Sequence, residues 1–224
     1  MTDTPAAETP PTATPPIKAA ELAAYLAARM CHDFISPASA IVSGLDLLED
    51  PTAQDMRDDA MELIGASARK LSDLLLFTRV AFGAAASAET FDARELEKLA
   101  QGVFGHMRAD LDWQVEVPAV NKPTARTLLN LAQMAGAALP TGGVAQVRAV
   151  QEGEAIAIAV AARGPRARIR AEVLAGLRGE GPGEGLHGHW VQARYVNLFV
   201  GDAGGKVFAD VGEETVTFAA SIPA

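Results

Sequence analysis

LAARMCHDFISPASAIVSGLDLLED, Leu26 to Asp50, sets one histidine, His32, in an apolar-striped stretch with an acid directly after it and Pro37 five residues on. Leu22, Leu26, Met30, Phe34, Pro37, Ile41, Leu45 and Leu48 recur every three or four residues, the spacing of one face of an amphipathic helix from about Ile17 to Glu49. At 3.6 residues per turn the stripe centres near Met30, Pro37 and Ile41, and His32 falls roughly 160° from that centre, toward water. Tyr25, Ala28, Arg29, Ser36, Ser39 and Ser43 share its side. From exposure alone, an ordinary surface histidine would look the same. An imidazole ringed by short side chains is nevertheless open to another protein, and neutral imidazole is nucleophilic near neutral pH. Phosphoryl transfer asks little of a protein beyond in-line positioning and charge neutralisation. A proline inside a helix ordinarily costs about 3 kcal/mol, so Pro37 calls for a reason that a plain bundle helix does not supply.

Asp50-Pro51 reads as an N-cap followed by proline at the first helical position, so a second helix is expected to start there and close a tight hairpin. Its apolar side carries Met56, Ala60, Leu63, Ile64, Ser67, Leu71, Leu74, Leu75, Thr78 and Phe82. Asp58, Asp59, Glu62, Arg69, Lys70 and Asp73 are expected on a solvated outer face. One hairpin cannot cover both stripes, and two around a twofold axis can, which predicts a homodimeric four-helix bundle. Beyond the small-residue linker Gly83–Thr90, helical patterns at Phe91–Phe104, Pro123–Leu139, Ala167–Leu177 and Gly188–Gly201 alternate with β-like runs. Those runs are Trp113–Val117, Val144–Gln151, Ala155–Ala161, Lys206–Ala209 and Thr215–Ser221. The expected organisation is α+β: a disordered Pro/Thr/Ala tail over 1–16, a helical hairpin over 17–83, and an α/β layer domain over 84–224.

With 224 residues, 49% of them hydrophobic, the chain can bury a sizeable core. A net charge of −9 without a basic run disfavours nucleic acid and anionic membranes as partners. The single cysteine, Cys31, permits no internal disulfide, and the N-terminus lacks the basic and apolar regions of a secretion signal, so a cytoplasmic location is expected. His187 and His189 in HGHW would need further ligands to hold a metal, and a structural or surface role is expected instead. Cys31 reads as a small packing residue, because the Cys-x5-Arg spacing of phosphatases meets Pro37.

His32-Asp33-Phe34-Ile35-Ser36-Pro37 resembles the H-box of sensor histidine kinases: histidine, acid, two mostly apolar or basic positions, Asn or Thr, then proline. The resemblance runs from about residue 18 to 224 and implies that His32 is the phosphoryl acceptor, with Pro37 bending the helix just beyond it. It also implies that Asp33 assists as base or hydrogen-bond partner. Adjacent helical residues do not face each other, so Asp33 is expected not to lie directly over the His32 ring, and pairing with Arg29 four residues earlier is the alternative to that role. Ser36, four residues on and on the same face as His32, departs from the family's Asn or Thr. Phe91–Phe104 and Thr127–Gly143 look like the opening and N-box helices of the kinase ATP-binding (Bergerat) domain, an α/β sandwich, but its nucleotide motifs have decayed. The second N-box Asn, commonly a magnesium ligand, is Met134, and a thioether cannot replace an oxygen ligand for a hard cation. In the Asp-x-Gly-x-Gly motif the aspartate is Ala162 and the last glycine Arg166; Gly179–Gly188 keeps many glycines.

An acceptor hairpin joined to a degenerate ATP-binding domain is similar to the ChpT-type histidine phosphotransferases of alphaproteobacterial phosphorelays. That resemblance implies a relay from the receiver domain of a hybrid histidine kinase, through phosphohistidine, to response regulators. No cofactor of its own is implied, and Mg²⁺ is expected in the partner receiver. Tyr25, Ala28, Arg29, Ile35, Ser39 and Ser43 around His32 are the expected docking surface. An ATP-dependent kinase with atypical boxes and a noncatalytic receiver-binding adaptor are the alternatives.

Overall fold

A computed structural model describes residues 17–83, 89–183 and 188–224. The expected tail over 1–16, most of the linker and part of the glycine-rich loop lie outside the described residues. Helix α1 (Ala19–Glu49) runs through Pro37, which is buried, and packs along α2 (Arg57–Ala81). Close approach of the two helices depends on Gly44, where a Cβ would lie 2.6 Å from Ile64 Cγ1 and 3.2 Å from the Ala60 carbonyl. The second helix does not start at Pro51. Asp50 Oδ1 accepts from Thr52 N at 2.8 Å and Thr52 Oγ1 at 2.7 Å, which folds the side chain into a local turn and leaves it unable to cap a helix there. A single 3₁₀ turn, Gln54–Met56, completes the reversal before α2 begins.

The far end of α2 belongs to the second layer of the molecule. Phe77, Val80 and Ala81 are buried in one core with Leu96, Leu128 and Leu129. The last carbonyls of a helix have no partner within it. Here the other domain supplies them: Asn130 Nδ2 donates to Ala81 O at 2.9 Å, Tyr195 Oη to Phe82 O at 3.3 Å, and Arg126 reaches Gly83 O. Gly83 has φ +93°, and a Cβ there would strike the Arg126 guanidinium. Asp73, expected on a solvated face, bonds His106 at 2.8 Å and lies against Gly102.

The C-terminal part is a mixed sheet of order β2-β4-β5-β7-β6, in which only the β2–β4 pairing is parallel. Its strands are β2 (Ala109–Val115), β4 (Gly143–Glu152), β5 (Ala155–Arg163), β6 (Lys206–Gly212) and β7 (Thr215–Pro223). Ile156, Ile158 and Val160 of β5 and Val216, Phe218 and Ile222 of β7 alternate inward with period two, as a sheet with one covered face requires. Helices α3 (Ala93–Phe104), α4 (Lys122–Ala137) and α6 (Gly188–Asp202) bury Leu96, Leu128, Leu131 and Val196 in the same core, while α5 (Ala171–Leu177) contacts α6.

Phe91, expected in a helix, is instead in β1 (Thr90–Asp92), which pairs with β3 (Ala119–Asn121). Asp92 caps α3, accepting from Arg94 N and Glu95 N, so the helix can only begin after it. Helix α5 starts at Ala171 rather than Ala167. No helix among the described residues is long and apolar enough to cross a membrane.

Candidate phosphotransfer site

His32 projects from α1 with 85% of its side chain exposed. Asp33 reaches the near edge of the ring: Asp33 Oδ1 lies 3.3 Å from His32 Nδ1. The helix keeps the two Cβ atoms apart, but a side-chain rotation brings one carboxylate oxygen level with the near ring nitrogen. The other oxygen accepts from Arg29 Nε at 3.1 Å. One carboxylate therefore serves both neighbours. A carboxylate only accepts, so this contact places the proton of a neutral ring on Nδ1 and leaves the lone pair on Nε2.

Arg29 continues the chain. Its Nη1 donates to the carbonyl of Gly188, at the start of α6, at 2.6 Å. Only 14% of its side chain is exposed. Tyr25, one turn earlier, meets Trp190 edge-on, centroids 6.4 Å apart and planes at 87°. Tyr25 and Arg29 thus face the C-terminal domain rather than lying on an open helix surface. Ala28, Ile35, Ser36, Ser39 and Ser43 are exposed as the spacing predicts.

Between α1 and the start of α6 opens a cavity of about 420 Å³ lined by Tyr25, Ala28, Arg29, His32, Asp33, Gly188 and His189. Sequence reasoning assigned HGHW a structural or surface role. It offered no signal that α6 would meet the acceptor helix, because that contact joins residues far apart in the chain. Burial, and then the positive charges of Arg29 and Arg170, push the His189 imidazole below its ordinary pKa. No group of three potential metal-binding side chains occurs among the described residues.

The positions at which the sequence departs from the nucleotide motifs of histidine kinases are occupied by structure. Met134 is 6% exposed and lines a space of about 30 Å³ that is also bounded by Arg29, Arg168, Arg170, His189 and Gln192. Asn130 is wholly buried. It donates to Ala81 O and Arg126 O, each at 2.9 Å, and accepts from Gln192 Nε2 at 3.1 Å. Gln192, which sequence reasoning did not single out, also donates to Gln133 Oε1 at 2.7 Å. Ala162 is buried in β5, and Arg166 holds φ +63°, a left-handed turn conformation that glycine adopts more readily. Gly164 is needed by the fold itself, since a Cβ would stand 2.7 Å from the Gly142 carbonyl.

Residues 93–215 match the family model described as the histidine phosphotransferase C-terminal domain. The chain is 34% identical to the protein phosphotransferase ChpT of Brucella abortus (strain 2308), over 91% of this chain and 97% of that protein. A bacterial phosphotransferase of known structure superposes with a TM-score of 0.81 at 32% identity, again over 91% and 97% of the two chains. With a family model matching more than half of its length and a relative of this similarity spanning nearly all of it, the chain belongs to the histidine phosphotransferases.

Proposed function

We propose that His32 is the residue that carries the phosphoryl group, and that it relays this group between receiver domains. The observation that carries the reading is an exposed imidazole at the edge of the cavity between α1 and α6, with its Nδ1 engaged by Asp33. In the forward step the Nε2 lone pair forms the N–P bond as the bond between phosphorus and the receiver's aspartyl oxygen breaks, and the aspartate leaves as a carboxylate. The ring keeps its Nδ1 proton and becomes cationic, and the Asp33 carboxylate compensates that charge. The return step reverses each bond. The receiver brings its own aspartate and the Mg²⁺ that neutralises the phosphoryl oxygens. Ala28, Ile35, Ser36, Ser39 and Ser43 form the exposed surface around His32 on which it docks, with Tyr25 and Arg29 at the rim nearer α6. A phosphorylated receiver from a hybrid histidine kinase is the donor and a response regulator the acceptor. The test is a reconstitution that follows label from such a receiver onto this chain and off it again. A chain that binds the receiver but never takes up label would instead be an adaptor.

The same reading holds that the chain uses no nucleotide. Binding sites for ligands of drug size occupy roughly 300–1,000 Å³, whereas the space beside Met134 is about 30 Å³. Calorimetry with Mg-ATP is expected to show no saturable binding below millimolar, and a micromolar dissociation constant would restore an ATP-dependent kinase.

The working unit is a homodimer. Leu45, Leu63 and Leu75 belong to the apolar stripes of the two helices yet are 46%, 38% and 49% exposed. A second hairpin around a twofold axis would cover them. Light scattering is expected to give twice the chain mass at micromolar concentration. A monomer there would remove this part of the reading.

A further inference from the structure

The first turn of α6 brings a second histidine to the cavity that contains His32. His189 comes from the C-terminal domain, is half-buried, and hydrogen-bonds to no other described residue. Among the described residues, the charged and titratable groups that face it are Arg29, Asp33, His32 and Tyr25 from α1, Arg168 and Arg170 before α5, and Glu172 in the first turn of α5. Arg29, a cationic side chain of the same cavity lining, already donates through Nε to Asp33 and through Nη1 to the Gly188 carbonyl. A phosphoryl group on Nε2 of His32 would bring a dianion into this cavity beside an imidazole that still has a ring N–H to donate.

Resting on the assignment of His32 as acceptor, we propose that His189 is a phosphoryl ligand: it donates a hydrogen bond to an oxygen of the group carried on His32. The degenerate domain then contributes a side chain to the phosphoramidate as well as a wall to its cavity. In the unphosphorylated protein burial and the charges of Arg29 and Arg170 favour the neutral ring, against the weaker opposing pull of Glu172 and Asp33. Arrival of the dianion reverses the balance, because an opposite charge in contact raises a histidine pKa by about 1–3 units. His189 then takes a proton from solvent, and its hydrogen bond becomes charge-assisted and stronger. No bond to phosphorus is made or broken in this step. Phosphohistidine is therefore held more firmly as pH falls through the raised pKa, and the hold weakens above it.

The test uses the full chain phosphorylated by phosphoramidate, a small donor that needs no receiver and so separates this effect from docking. Imidazole resonances of His189 are followed against pH before and after phosphorylation, with His32→Gln treated in parallel. The expected result is an upward shift of the His189 titration by about one unit or more on phosphorylation, absent in His32→Gln. In His189→Ala, phosphohistidine is expected to hydrolyse several-fold faster at pH 6.5, with a smaller difference at pH 8.5. His189→Gln, which keeps a donor without a titration, is expected to recover part of the lifetime and lose its pH dependence. Label on His32 with an unchanged His189 titration overturns this proposal alone. Label on a residue other than His32 overturns the acceptor assignment and this proposal with it.

Discussion

His32→Gln is expected to end phosphoryl transfer in both directions, a loss of more than about a thousandfold, while leaving the fold intact. Glutamine can still accept a hydrogen bond, but it has no nucleophilic lone pair comparable to that of imidazole, so no N–P bond can form. The cost to stability should be small, within about 0.5 kcal/mol, since the side chain is 85% exposed and its one hydrogen-bond partner, Asp33, retains Arg29. Incubation with a labelled, phosphorylated receiver should leave the variant unlabelled although it still binds that receiver. Melting should match the unsubstituted chain. Label on the variant would mean that another side chain accepts the phosphoryl group, and the assignment of the acceptor would fall.

The largest effect on stability is expected at Asn130, which is as buried as His32 is exposed. Asn130→Ala removes the donor to Ala81 O, at the end of α2, and the acceptor for Gln192 Nε2 on α6, so one residue ties the hairpin and two helices of the second domain together. A buried polar group left without its partner costs about 1–3 kcal/mol. Gln192 keeps its bond to Gln133, so the total should be about 2–3 kcal/mol. For a chain of this size that corresponds to a fall in Tm of about 4–12 °C. Gln133→Ala removes only the outer member of the network and should cost under about 1 kcal/mol. Equal effects of the two substitutions in thermal melts would show that Asn130 is not the hub.

Asn130 lies in a stretch whose sequence resembles the N-box helix of histidine kinases. Its hydrogen-bonding capacity is used by the fold. This part of the molecule was only half legible in the chain: Met134 in place of an oxygen ligand was visible. The employment of Asn130 by Ala81 and Gln192 was not, because its partners lie 49 and 62 residues away.

The sequence by itself determined the local features. Spacing of three and four residues marked α1 and α2, β-like runs marked four of the five long strands and the end of β2 (Ala109–Val115), and counting around the helix turned His32 outward. All of these follow from the geometry of a single element, which is why one chain without partners was enough. The tertiary structure decided what one helix shows another. The wheel set Tyr25 and Arg29 toward solvent, and α6 met them with Trp190 and Gly188. It likewise left Asp73 exposed, where His106 pairs with it, and gave no role to Phe77, Val80 and Ala81, which the second domain buries. A helix has more than one face, and its periodicity reports the strongest stripe only. Which other element covers the remaining faces depends on chain reversals and on contacts between residues distant in sequence. The acceptor histidine could therefore be read from the sequence, and its neighbour His189 only from the fold.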